Sequence, residues 1–193
     1  MFSTKSLISL LVLEQVISFA SAKIFSGACS KPTLQEDFNL TSYAGFWYEI
    51  YRDPGFFWEK GATCATANYV PNQDGSIKVI NSQVKNGDNK VDSMTGTAAC
   101  EGAQCYVEFF KPIKGDYRVI ATDYEKYSIV YSCENLFGLF HKSYLWVLSK
   151  EETIDSTVLS FVESTIAKEV DDWKLEDLYA TPQGGSCIYA TPQ

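Results

Sequence analysis

His141 is the only histidine in the chain, and together with six cysteines and the scattered carboxylates it makes up most of what the sequence offers to chemistry. Nucleophilic catalysis needs a base within hydrogen-bond reach of the nucleophile and a third group to orient it. His141 falls in Phe140-His141-Lys142, which reads as a loop between strands, so a solvated or structural histidine is the expectation. An enzyme built on this chain would have to work through His141 or Glu49, and no enzyme is expected. Zinc or haem would need several nitrogen or sulfur ligands, which one histidine and paired cysteines do not supply, so neither metal nor cofactor is expected. Glu151-Glu152 and Asp171-Asp172 read as solvated ends of a helix, because adjacent carboxylates rarely face one cleft at the separation glycosidase chemistry requires.

The cysteines belong to an exported chain. Residues 1–22 have the form of a secretory signal, with Lys5 ahead of an apolar stretch and Ala20-Ser21-Ala22 fitting the cleavage pattern, so the mature protein is expected to begin near Lys23 and to be secreted. Export favours disulfides. Cys100 and Cys105 flank the short loop Glu101-Gly102-Ala103-Gln104, where opposing hairpin positions lie within bonding reach. Cys29, Cys64, Cys133 and Cys187 run from one end of the mature chain to the other and suit staples between terminal segments and a wall, with their pairing left open by spacing alone. Asn39-Leu40-Thr41 is a glycosylation acceptor. The formal net charge of −8, with no basic stripe, argues against nucleic-acid binding.

Roughly 170 residues after the signal form one domain, 23–193, with no repeat or linker to divide it. Short runs rich in Val, Ile, Thr, Tyr and Phe recur over 46–52, 63–70, 76–85, 90–100, 105–111, 117–123, 127–132 and 144–150, separated by turn signals such as Pro71-Asn72-Gln73-Asp74-Gly75 and Asn86-Gly87-Asp88. Such strands in hairpin order predict an all-β fold, an eight-stranded antiparallel up-and-down β-barrel. After Lys150 the period changes. Val158, Val162, Ile166 and Val170 recur every fourth residue, so one α-helix begins near Asp155 and must pack outside the barrel. If Cys64 and Cys133 point outward to terminal segments, alternation turns Ala65, Ala67, Tyr69, Ser128, Val130 and Ser132 inward. An interior lined by small residues and aromatics is not filled solid.

Gly45 and Trp47, in Ala44-Gly45-Phe46-Trp47-Tyr48-Glu49-Ile50, place a wide aromatic where it can floor such a barrel, and Ala121-Thr122-Asp123-Tyr124 closes a later strand-rich segment. With Cys64-Ala65-Thr66-Ala67-Asn68-Tyr69, Ile129-Val130-Tyr131-Ser132-Cys133 and Leu139-Phe140-His141, these motifs resemble the lipocalin family, in particular its apolipoprotein D, bilin-binding and crustacyanin-like members. The resemblance spans the mature chain up to the helix. One departure is Lys150, which stands where the family has an arginine crossing the floor tryptophan. Lysine keeps a cation over the indole but loses the planar stack.

What the resemblance implies is an extracellular carrier holding a sterol, fatty acid, retinoid, carotenoid or bilin in the barrel, with disulfides Cys29 to Cys133 and Cys64 to Cys187. Ligand contacts carry over to Tyr69, Asn81, Phe109 and Trp146, with Val107, Tyr117 and Tyr144 as neighbours, while Trp47 is structural. Asn81, Tyr69 or Tyr117 would orient the ligand and Phe109, Tyr144 and Trp146 supply contact area. Arg52, Lys60, Lys85 and Arg118 could meet a ligand carboxylate near the mouth. Phe56, Phe57 and Trp58 lie in the first connection, which crosses the mouth in this family; they read as a lid or entrance, or as packing on the rim. A second reading makes the chain an interaction module that docks a membrane or protein receptor through this aromatic loop.

Overall fold

The computed structural model describes residues 23–85 and 87–192. The proposed signal and Asn86 of the second turn lie outside them. Ten strands run in chain order as β1 (Ile24–Ser26), β2 (Gly45–Arg52), β3 (Ala62–Pro71), β4 (Ile77–Lys85), β5 (Val91–Glu101), β6 (Gln104–Phe110), β7 (Ile113–Thr122), β8 (Ser128–Leu136), β9 (Phe140–Ser149) and β10 (Tyr179–Ala180). Each of β2 to β8 pairs antiparallel with the next, and β9 pairs back to β2, which closes the eight-stranded barrel. The expected strands all form, and β7, β8 and β9 extend further toward the open end than their sequence signals suggested. β1 and β10 are added outside, on β9 and β2.

The barrel has two ends of different character. A one-turn helix α1 (Leu40–Tyr43), capped by the Asn39 side chain on the Ser42 N–H, leads into β2 at the closed end. Gly45 begins β2 with φ +95°, a backbone conformation that favours glycine, with the Lys150 ammonium packed beside it. Trp47 is fully buried next, its indole N–H donating to the Tyr43 carbonyl at 2.8 Å. Lys150 Nζ sits 4.0 Å from the Trp47 ring centroid and donates to the Ala44 carbonyl, so lysine does keep a cation over the floor. Thr122, Asp123 and Tyr124 build the adjoining turn. The Thr122 hydroxyl donates to the Tyr127 carbonyl, Asp123 Oδ1 accepts from the N–H groups of Glu125, Lys126 and Tyr127, and the Tyr124 hydroxyl accepts from Asn39 N–H.

The helix α2 (Ser156–Glu169) starts where its cap, Asp155, accepts from the Thr157 N–H. Val162 and Ile166 are buried against Ile129, Tyr131, Leu145 and Val147 on the outer wall. Three disulfides fasten the periphery, Cys29–Cys133, Cys64–Cys187 and Cys100–Cys105. Cys64 takes a left-handed backbone, φ +56°, within the register irregularity between Thr63 and Thr66. That kink lets the sulfur leave the wall while Ala65 and Ala67 face the interior.

Two polar expectations are corrected here. His141 lies within β9 and is buried, because β1 covers that edge: its ring stacks on Phe25 at 5.3 Å and bonds the Gly27 carbonyl and Asp172. Asp172 is no solvated helix end, since its carboxylate accepts from the Tyr131 hydroxyl and meets His141 Nε2. Cys133, His141 and Asp172 converge as metal ligands would, but the Cys133 sulfur is bonded to Cys29 and both ring nitrogens of His141 are engaged.

Candidate functional site

A cavity of about 390 Å³ occupies the open half of the barrel. Ligand sites of a few hundred Å³ lined by apolar and aromatic groups hold one small molecule. Beneath it a void of about 20 Å³ reaches toward the closed end. The divide between the two is a set of tyrosines. Tyr43 from α1, Tyr69 from β3 and Tyr117 from β7 share a hydroxyl chain, with Tyr117 Oη 2.7 Å from Tyr43 Oη and 2.8 Å from Tyr69 Oη, and Tyr43 Oη 2.9 Å from Ser128 Oγ. Burial pushes the Tyr43 phenol up to about 12 and those of Tyr69 and Tyr117 well above their ordinary value, so all three stay neutral donors and acceptors. Trp47 lies below this layer and does not line the cavity.

The structure brings together every residue the resemblance nominated. Tyr69 and Tyr117 form the cavity floor, with hydroxyls already bonded to one another. Val107, Phe109 and Asn81 stand higher on the wall. Phe109 has room because the facing position in β5 is Gly96, where a Cβ would meet its ring at 2.7 Å. Nearer the mouth Tyr144 and Trp146 stack, with ring centroids 5.8 Å apart, and Phe56 from the first loop stands edge-on to both. Phe57 borders the same opening and is 75% exposed. The inward parity is seen in Ala65, Ala67, Tyr69, Val130 and Ser132, all at the cavity.

The loop over the mouth is pinned. Asp53 N–H donates to the Leu145 carbonyl, Gln83 Nε2 donates to the Trp58 carbonyl, and Glu59 and Ala62 continue the turn. Phe56, Phe57 and Trp58 all border the cavity, so this loop roofs it in part and also presents an exposed face.

Sequence reasoning named Glu49 only as a residue an enzyme would use and placed neither buried acid at the cavity. Glu49 and Glu59 both line the cavity and are buried. Glu49 is two residues beyond Trp47, so alternation alone would have turned it inward. Glu59 is on a loop, where no period applies. Arg52, expected as a cation at the mouth, is instead enclosed: Nη1 donates to Glu49 Oε1 at 2.8 Å and to the Thr181 hydroxyl, and Nη2 donates to the carbonyls of Glu59 and Ala62. Trp146 donates from its indole N–H to Glu59 Oε2 at 3.1 Å. Burial, and then the neighbouring Glu49 charge, push the Glu59 carboxyl well above the usual carboxylate range. Arg118 is likewise held, on Asp116 at 2.9 Å.

A closed antiparallel barrel, sealed below by aromatics and hollow above, is the cup architecture of small-molecule-binding barrels. The chain belongs to the lipocalin family, its residues 38–183 matching the lipocalin-like domain. Within the family it is 33% identical to apolipoprotein D of Cavia porcellus over 92% of this chain and 94% of that one. With apolipoprotein D of Oryctolagus cuniculus it shares 35% identity over 88% and 92% of the two chains. Insecticyanin of the tobacco hornworm Manduca sexta superposes with a TM-score of 0.74 at 23% identity, covering 88% of this chain and 94% of that structure, and shares the fold.

Proposed function

We propose that this protein is a secreted, non-catalytic carrier that holds a small lipophile in the open half of its barrel. The observation that carries the reading is the cavity of about 390 Å³, lined chiefly by aromatic and aliphatic side chains and bounded below by neutral tyrosines. The family's members include apolipoprotein D, and secretion agrees with three disulfides in a chain that carries a signal-like leader. A guest burying roughly 300 Å² of apolar surface gains about 7 kcal/mol at about 25 cal/mol per Å². Immobilisation offsets part of that, giving affinities around the micromolar range. Titrating lipophiles while recording tryptophan emission tests the proposal, because Trp146 and Trp58 both border the cavity. Saturable quenching by at least one uncharged lipophile is expected; no quenching by any sterol, retinoid, carotenoid, bilin or fatty acyl compound removes the carrier reading.

A second reading rests on the rim. Phe57, Phe110, Ile113, Phe137 at 98% exposure, Leu139 and Phe140 all stand exposed at the open end, interleaved with Lys60, Lys90, Lys111 and Lys114. An apolar patch of this size, among exposed lysines and the acids Asp88, Asp92 and Glu134, suits a bilayer surface chiefly through its apolar groups. We propose that the mouth docks on such a surface when loading or releasing its guest. Phe57→Ser with Phe137→Ser is expected to lower co-sedimentation with phosphatidylserine vesicles at least about threefold, since each lost ring removes apolar burial. Unchanged co-sedimentation removes the docking step and leaves the carrier.

A further inference from the structure

The cavity wall is asymmetric in charge. Among the described residues its lining includes Glu49 and Glu59 and no lysine, arginine or histidine. Asp116 also borders it, but that carboxylate is matched: it accepts from Arg118, from Gln104 Nε2 and from the Cys133 N–H. Arg52 serves Glu49 and cannot serve a ligand as well. Both its terminal nitrogens are engaged, and the Tyr179 ring covers its guanidinium at 4.5 Å. The one enclosed cation is therefore matched to Glu49, and among the described residues no cation bonds the Glu59 carboxyl, which burial and then the Glu49 charge push well above the usual carboxylate range.

A ligand carboxylate entering this space would shed its hydration next to Glu49 and find no cation on the wall. The rim lysines do not substitute for one, since they are exposed and screened over roughly 8 Å at physiological salt.

We propose that the cavity selects lipophiles whose polar head is uncharged, such as ring or long-chain alcohols, and rejects the carboxylate of the same skeleton. The inference rests on the carrier reading and narrows its ligand class, setting fatty acids and bilins aside. Glu49 and Glu59 are its specificity-determining residues.

Retinol and retinoate share one skeleton and differ at the head, and the uncharged dye N-phenyl-1-naphthylamine reports on the cavity without either. In tryptophan-quenching titrations near neutral pH, retinol is expected to bind at least about tenfold more tightly than retinoate, a difference of about 1.4 kcal/mol. Met94, paired with Asn81 across β4 and β5, also lines the cavity. Met94→Lys should place an ammonium on that wall and reduce the retinol-to-retinoate ratio at least about fivefold, through a new opposite charge in a poorly screened site. Retinoate binding to the wild type as tightly as retinol overturns the selectivity, as does an unchanged ratio in folded Met94→Lys. Should that variant not fold, the wild-type pair decides. Failure of the dye, retinol and retinoate alike removes the carrier reading and this one with it, an outcome distinct from equal binding.

Discussion

The two ends of the barrel use buried charge in opposite ways. At the closed end a single cation, Lys150, rests on the Trp47 face and is tied to the Ala44 carbonyl, inside a layer where Tyr43, Leu34, Phe38 and Leu40 fill the space. At the open end Arg52 pairs with Glu49 while the neighbouring Glu59 carboxyl accepts from the Trp146 indole, and the interior beside them is hollow. A filled end can tolerate one well-placed ion because packing fixes its partners. A hollow end needs a cluster of mutual hydrogen bonds to hold ionisable groups still, and those groups then face whatever enters.

The largest expected effect comes from emptying the filled end. Trp47→Ala should cost about 3–5 kcal/mol of stability in denaturant unfolding, the range for removing a fully buried aromatic. A loss below about 1 kcal/mol would mean that the floor is not a packing unit.

The two charged sites should show opposite pH slopes. Burial lowers the Lys150 ammonium from its ordinary 10.5 to about 8. Between those values the unfolded chain still holds the proton that the folded one has released, so stability rises with pH across that window. Glu59 is pushed upward, so from about 4.5 the unfolded chain releases a proton that the folded one retains, and stability falls as pH rises. Lys150→Arg should flatten the alkaline slope and Glu59→Gln the acid-to-neutral one, each read as the unfolding midpoint against pH. A slope of the wrong sign in the parent protein breaks the comparison at that end.

The smallest stability effect belongs to the rim. Phe57→Ser is expected to change unfolding by no more than about 0.5 kcal/mol, as for an exposed site away from packing features. A larger loss would place Phe57 in the structural roof rather than on the docking face.

Much of the barrel could be read in advance because alternation is a strong signal where one face meets a different environment from the other. Ala65, Ala67 and Tyr69 fall at the cavity as their period required, and Asp155 caps the helix that the four-residue spacing predicted. The pattern failed where tertiary pairing overrides local polarity. His141 looked like a loop residue beside Lys142, yet β1 pairs over it and Asp172 folds back to meet it. Arg52 looked like a free cation because, apart from Glu49 three residues earlier on β2, its acceptors are the distant Thr181 and the carbonyls of Glu59 and Ala62, which depend on how the first loop closes. The cavity wall was legible from strands; its charge was not, since Glu59 depends on how one loop closes.

Thr181, Gln183 and Cys187 give the last residues of the chain a share in the mouth. Thr181 donates to Glu49, Gln183 Nε2 donates to the carbonyls of Glu49 and Ala65, and Cys187 is bonded to Cys64. Proteolytic clipping of this appendage would thus reach the guest chamber from behind: with the β10 brace gone, Arg52 and Glu49 lose a shared hydroxyl, and retention of cargo would decline before the barrel itself came apart.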